Sequence, residues 1–275
     1  MFIISFPDLV KHFTELNING ITPPSAAQVT YNDDTDYNSE INRPFTLEEI
    51  KKIIHKLESN KACGVDSILN EFMKYCPISC IHVLCDLFNI VLNSGMVPTN
   101  WCMGIILPLY KNKGSPTNPD NYRGITLLSC VSKLFTACIN SRLALFIDDG
   151  ILGNEQAGFR EGYSTTDHVY VLYSVIEMYL SVRKRVYCAF IDYKKAFDTI
   201  QRELLWQKLL SSGIHCKIFT VIRNLYSQAK SCVRKGNFLS DYFVCNIGVR
   251  QGENLSPLLF SLFINDFSSF ISNHI

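Results

Sequence analysis

The sequence predicts an α/β chain of α+β layout, an antiparallel sheet backed by helices. Three observations predict it. Apolar residues recur at helical spacing in the first third, two β-like runs flank a polar turn between 103 and 129, and 185–191 is apolar at nearly every position. The last pattern fits a strand buried on both faces. At 275 residues the chain can bury a substantial core.

Taken in order, MFIISFPDLV lacks a basic leader region and is broken by Pro7 and Asp8, so it makes a poor signal peptide. Residues 17–44 are polar and acidic and read as a linker, giving an N-terminal segment and linker over 1–44. Thr46 with Glu48 and Glu49 marks a helix start, followed by Ile50, Ile53, Ile54 and Leu57 on one face. Asn60–Gly64 ends that helix, and a longer helical region covers 68–94, closed by Gly95 and Pro98. Met103–Tyr110 and Tyr122–Ser129 form a long hairpin with a basic tip at 111–121. Helices follow at 131–147 and 165–182, then the strand at 185–191. Asp198 and Gln201 form an Asp-x-x-Gln capping arrangement ahead of Leu204, Leu205 and Leu209. A strand at 241–249 runs into Arg250-Gln251-Gly252, and Ser256-Pro257 opens a helix with Ser as N-cap and Pro at its first position. No internal repeat is present.

The formal net charge of +1 does not by itself point to a polyanion. Its distribution is more informative. Residues 1–60 hold nine acidic and five basic side chains, which leaves a basic surplus of five in the remainder. Lys217, Arg223, Lys230, Arg234 and Lys235 follow one another without an intervening acid. The 11 cysteines are odd in number and include no Cys-x-x-Cys pair, which argues against a disulfide framework or a zinc ribbon. Cys76, Cys80, His82 and Cys85 interleave with apolar residues and are assigned to a buried helix. No apolar run reaches the length of a membrane span. The expectation is an intracellular protein, cytoplasmic or nuclear, with no membrane partner.

The chemistry centres on FIDYKKAFD, residues 190–198. Asp192 stands at the exit of the expected strand, where a carboxylate needs a cation or hydrogen bonds. That segment alone leaves open a solvated strand end or a metal-binding group. Four other segments occur with it in fixed order: LPLYKNKG (107–114), NYRGITLLSCVSKLF (121–135), NEQAGFREGYSTTDHV (154–169) and GVRQGENLSPLLF (248–260). Together the five resemble the fingers motifs and first two palm motifs of reverse transcriptases from non-LTR (LINE-like, jockey/RTE-like) retrotransposons. The resemblance covers most of 45–267.

That resemblance implies a right-hand polymerase, with a fingers-like region at 45–182, a partial palm at 183–275, and a reverse transcriptase domain over about 105–275. It implies an RNA-directed DNA polymerase whose partners are an RNA template, a DNA primer and a dNTP. Its reaction is in-line attack by a primer 3′-hydroxyl, with two Mg²⁺ ions clamped between carboxylates and phosphates. Asp192 would bridge the metals and the backbone carbonyl of Tyr193 would add an oxygen. Phe197 would fill the place of a ribose 2′-hydroxyl. Lys111 or Lys113, with Arg123, would neutralise the triphosphate. Gln251 and Gly252 would lie against the nascent base pair, and Gln156, Gly158 and Arg160 against the template, with Phe159 assigned to the core. Asp198 is assigned to its helix cap.

The same family carries a Tyr-Ala-Asp-Asp hairpin that completes the metal site. The Asp-Asp pairs here, Asp33-Asp34 and Asp148-Asp149, fall in the linker and a turn. The expectation is a domain without its C-terminal palm, thumb and endonuclease, inactive alone, with Leu258, Phe260, Leu262 and Phe263 left exposed. Two other readings are a non-catalytic RNA-binding relic and a group II intron-type reverse transcriptase.

Overall fold

The computed structural model describes residues 4–18, 39–148 and 150–273. The expected Asp33-Asp34 linker, Asp149, and most of the 17–44 stretch lie outside the described residues.

Local signals set the first helices. The Thr46 hydroxyl accepts from the Glu49 N–H, and the Glu49 carboxylate accepts in return from the Thr46 N–H, closing a capping box at the start of α3 (Leu47–Lys56). Ahead of it lie α1 (Phe6–Ile18), which the sequence reading did not anticipate, and the single turn α2 (Ser39–Asn42). The expected helical region at 68–94 is two helices, α4 (Asn70–Lys74) and α5 (Ile78–Ser94). Pro77, which has no N–H to continue a helix, sits at the break as the N-cap of α5. Cys85 is buried in α5, Cys76 and Cys80 are half-buried and His82 is exposed, so the buried-helix assignment holds in full only for Cys85.

β1 (Met103–Tyr110) and β2 (Tyr122–Leu128) form the expected antiparallel hairpin, with Leu109 opposite Arg123 and Tyr110 opposite Tyr122. β3 (Lys230–Lys235) joins β1 in parallel, and the two-residue strands β4 (Phe238–Leu239) and β5 (Phe243–Val244) pair antiparallel with β3. The strand expected at 241–249 is therefore mostly irregular. Its later residues leave the sheet and dock elsewhere.

The main core is helical and includes α6 (Cys130–Asp148). Among the described residues α6 is the one helix long and apolar enough to cross a membrane, yet its Leu134, Phe135, Ile139 and Leu143 are fully buried in the protein core. Phe45, Phe88, Trp101 and Phe135 pack around it with centroids 5.1–6.3 Å apart, several of them edge to face. Leu9 and Phe13 of α1, with Ile4 just ahead of it, pack on Ile106 and Val233 in a second and smaller core. The remaining helices are α7 (Thr165–Ser181), α8 (Arg202–Ser211), α9 (Cys216–Ser227), α10 (Ser256–Phe263) and α11 (Phe267–Ser272).

Four expectations need correction. Residues 185–191 are not a strand: Tyr187 is 86% and Phe190 84% exposed. Alternating apolar residues become a strand only when a neighbour completes the hydrogen-bond ladder, and no described strand pairs with them. Conversely, the apolar side of α10 is covered. Leu258 and Leu262 are buried and Phe260 and Phe263 pack partly against the same core, because α10 lies on α8. Ser256 lies inside α10 behind the N-cap Leu255, while Pro257 is in the first turn as expected. The helix after Asp198 begins at Arg202 with Gln201 as N-cap, and no side chain caps it.

The N-terminal region is tied to α6 by one buried cation. Arg142 donates to both Glu49 oxygens at 2.9 and 3.0 Å and to the carbonyls of Ile41, Arg43 and Pro44, with its guanidinium 4.0 Å from the Phe45 ring centroid. Burial pushes the Glu49 carboxyl up, but the hydrogen bonds from Arg142 and Thr46 and the charges of Arg142 and Arg43 outweigh it, lowering it to about 2. We predict that Arg142→Met destabilises the chain by about 3 kcal/mol or more, as expected when one partner of a buried pair is removed. A lowered carboxylate pKa stabilises the fold above its unfolded value and loses that contribution as pH falls through the folded value. Urea midpoints measured between pH 5 and 2 should therefore fall more steeply for the parent chain than for Arg142→Met; parallel profiles would contradict the pairing.

Candidate active site and nucleic-acid interface

The loop that carries Gln251 is held from three sides. Val249 N–H donates to Phe197 O and Gly248 N–H to Ile200 O, both at 2.8 Å, while Thr126 N–H of β2 donates to Gln251 O at 2.8 Å. Gly248 and Gly252 have φ of +77° and +114°, and a Cβ on either would come within 2.8 Å of the Asp198 and Phe197 carbonyl oxygens or 2.6 Å of the Thr126 oxygen. A side chain at either position would force this junction apart. The structure thus brings Phe197, Gln251 and Gly252 to the base of the hairpin.

Two buried arginines fix the same loop from behind. Arg202 donates to the carbonyls of Tyr226, Cys245, Ile247 and Gly248, and Arg250 to those of Trp101, Cys102 and Leu225. Burial lowers the Arg202 guanidinium to about 10, so it stays charged at neutral pH. The fully buried Tyr226 hydroxyl donates to Glu253 at 2.8 Å, and Ser256 Oγ donates to Arg250 O at 2.8 Å. Sequence reasoning missed all of these supports. Neither arginine is marked locally: Arg250 is followed by Gln251-Gly252-Glu253, and Arg202 lies between Gln201 and Glu203.

Asp198 is also not where the sequence put it. Instead of capping a helix, it lies half-buried, with both carboxylate oxygens 3.1 Å from Gln251 Nε2. Phe159, assigned to the core, is 66% exposed with φ +61°. Its position between Gly158 and Arg160 in a turn keeps it out, and its ring stands 6.0 Å from that of Phe197, which in turn lies 5.2 Å from Phe260.

The other candidates lie further out. Asp192 is exposed in the irregular segment, and the Tyr193 ring packs edge-on against Phe260 and Phe267. At the hairpin tip Lys113 and Arg123 are exposed, whereas the Lys111 ammonium donates to the Asp120 carbonyl at 3.0 Å. Lys195 reaches the same residue, donating to its carboxylate at 2.8 Å and lowering the Asp120 pKa. This contact ties the tip to the FIDYKKAFD segment. Arg160 is committed locally, to Asp148 at 2.6 Å and to the carbonyls of Gly153 and Gln156, while Gly158 O accepts from Ser261 of α10.

Gly252, Phe159 and Arg160 line a cleft of about 870 Å³ between α3, α6 and β2. Lys52, Lys56, Lys61 and Lys133 line it together with the acids Glu58, Asp148 and Glu161 and the apolar Ile125, Leu127 and Leu258. Lys61 is paired with Glu58 and Arg160 with Asp148, and Asn140 contributes a buried side-chain oxygen with no hydrogen-bond partner. Lys52, Lys56 and Lys133, which no lining acid pairs, beside apolar residues and the exposed Phe159 ring, suit a polyanion.

A two-ion metal site is a separate question. Among the described residues no three His, Cys, Asp or Glu side chains gather to hold a metal, and Asp198 faces Gln251. One exposed carboxylate and the Tyr193 carbonyl do not make up the two-Mg²⁺ clamp that the resemblance implies. No chemical step is assigned to a metal here.

Comparison with known proteins identifies the family. The reverse transcriptase (RNA-dependent DNA polymerase) family matches residues 110–275. The chain is 32% identical over 225 residues to the probable RNA-directed DNA polymerase from transposon BS of Drosophila melanogaster, covering 82% of this chain and 25% of that protein. It is 28% identical over 222 residues to the RNA-directed DNA polymerase from mobile element jockey of the same species, covering 80% and 24%. It is 27% identical over 177 residues to the retrovirus-related Pol polyprotein from type-1 retrotransposable element R2 of Popillia japonica, covering 62% and 24%. The chain spans about a quarter of the length of these curated relatives. With the matched family covering more than half of it, the chain belongs to the reverse transcriptase family, on its non-LTR retrotransposon side.

Proposed function

We propose that this chain acts in RNA-directed DNA synthesis by a LINE-like mobile element, holding an RNA template paired with a DNA primer beside an incoming dNTP. The observation that carries the reading is the junction of the Gln251-Gly252 loop, the Phe197 turn and the base of the basic hairpin, opening beside the lysine-walled cleft. In this reading the cleft takes the nucleic-acid backbone through Lys52, Lys56 and Lys133, and Arg123 and Lys113 take the triphosphate. Lys113 is favoured over Lys111 because the Lys111 ammonium is already held by Asp120. Phe197, backed by Phe260, is the steric stop against a ribose 2′-hydroxyl. Gln156, Gly158 and Arg160 shape the cleft mouth, since the Arg160 guanidinium is bonded within its own turn.

Binding to a labelled RNA–DNA template–primer, followed by anisotropy across a salt series, tests the cleft. The triple variant Lys52→Ala, Lys56→Ala, Lys133→Ala should bind more weakly and reduce the slope of log K against log salt by about 2–3. An unchanged slope would move nucleic acid out of this cleft.

Among the described residues no carboxylate gathers with Asp192, which favours a second reading, a binding unit that does not polymerise. Primer extension with Mg²⁺ and dNTPs should then not rise above an Asp192→Ala control, while template–primer binding survives that substitution. Extension clearly above the control overturns this second reading and leaves the first.

A further inference from the structure

We propose that Asp198 is a positioning residue for Gln251, fixing its side-chain amide so that the carbonyl oxygen Oε1 is the atom offered to a ligand. The proposal rests on the reading of this junction as a nucleotide site. Asp198 caps no helix, and both of its oxygens lie 3.1 Å from Gln251 Nε2. A carboxylate only accepts hydrogen bonds, whereas a carboxamide has a donating end and an accepting end. Flipping the amide would set its carbonyl oxygen against two carboxylate oxygens, so the nitrogen must face Asp198.

The pair is not a chance meeting of mobile side chains. The main chain on the Asp198 side is bonded to Val249 and Gly248 through Phe197 O and Ile200 O, and Gln251 O is bonded to Thr126. Burial raises the Asp198 pKa, with the Gln251 hydrogen bond and the charges of Lys195 and Lys111 opposing that rise. The pairing therefore offsets part of a desolvation cost. With Nε2 engaged, Oε1 has no protein partner among the described residues.

A fixed acceptor selects its ligand atom. Phosphate oxygens also accept, so the triphosphate is turned away from Gln251 and toward the basic hairpin tip. What Oε1 can receive is a hydroxyl or N–H donor from the sugar–base half of a nucleotide. Asp198 thereby sorts the two ends of the nucleotide without touching it.

The experiment exchanges the two side-chain types. Asp198→Asn frees the amide to turn, and Gln251→Glu sets two carboxylates face to face. The double variant restores a donor–acceptor pair of reversed sense that still presents an acceptor oxygen. Dissociation constants for a complementary dNTP with template–primer and Mg²⁺ are measured beside the melting temperature of each protein. Each single variant should bind dNTP about tenfold more weakly, the effect of one lost hydrogen bond. The double variant should recover to within about threefold of the parent, without melting temperature following the same order. Losses that add in the double variant, or that track melting temperature, overturn the proposal.

A second measurement needs no ligand. The Gln251 side-chain amide protons, assigned by their disappearance in Gln251→Glu, should exchange slowly in the parent and rapidly in Asp198→Ala. Equal exchange in both overturns the proposal whatever nucleotide does. If the parent binds no nucleotide, the function reading fails, and slow exchange lost in Asp198→Ala still supports the amide orientation.

Discussion

The site depends on two buried guanidinium groups that share one aromatic ring. Arg202 and Arg250 lie 5.2 and 5.6 Å from the centroid of Tyr226, and between them they donate to carbonyls of β1's approach, the end of α9 and the loop after β5. Those segments are far apart in sequence and have too little strand between them to be held by a ladder. β5 is only two residues long. The arginines do what a longer sheet would otherwise do, satisfying main-chain carbonyls that leave regular structure inside the protein.

From that constraint the functional geometry follows. A loop pinned through Gly248 O by Arg202 and through Arg250 O by Ser256 has one stretch left to present outward, Gln251-Gly252. Its backbone is then stitched to β2 at Thr126 and to the Phe197 turn. The hairpin and the two motif segments therefore form one unit, with the Lys195–Asp120 ion pair closing it at the outer end. That outer pair is exposed and contributes little to stability, but it orients the tip relative to Asp192's segment.

How much was legible in the sequence depended on the range of the interaction. The Thr46–Glu49 capping box and the 103–128 hairpin are set by residues close in sequence, and both appear as read. The order of five motif segments was legible because each is a short string. Asp198 and Ser256 were misread for one shared reason. Both have the chemistry of a cap, but each bonds elsewhere, Asp198 accepting from Gln251 and Ser256 donating to the Arg250 carbonyl. Phe159 was misread because composition favours burial of a ring, while its turn has left-handed backbone that points it outward.

The segment at 185–191 shows the limit most clearly. Its pattern is that of a central strand, and pattern is what a sequence can supply. A strand, however, is a property of two chains of atoms, since each N–H and C=O needs an opposite number. Here Val186, Phe190 and Ile191 have the side chains for a doubly covered strand, without a ladder among the described residues. α7, just before it, likewise has no buried residue, although Val169, Leu172, Val175 and Leu180 are apolar. Both stretches, consecutive in sequence, leave apolar side chains exposed, and Asp192 follows directly after them. That carboxylate lacks the ladder that would fix its segment among the described residues, whereas Gln251 is held by Asp198 and Thr126. In the proposed reading, the half of the site that would face a nucleotide rests on contacts among the described residues, whereas Asp192 has no such contact there.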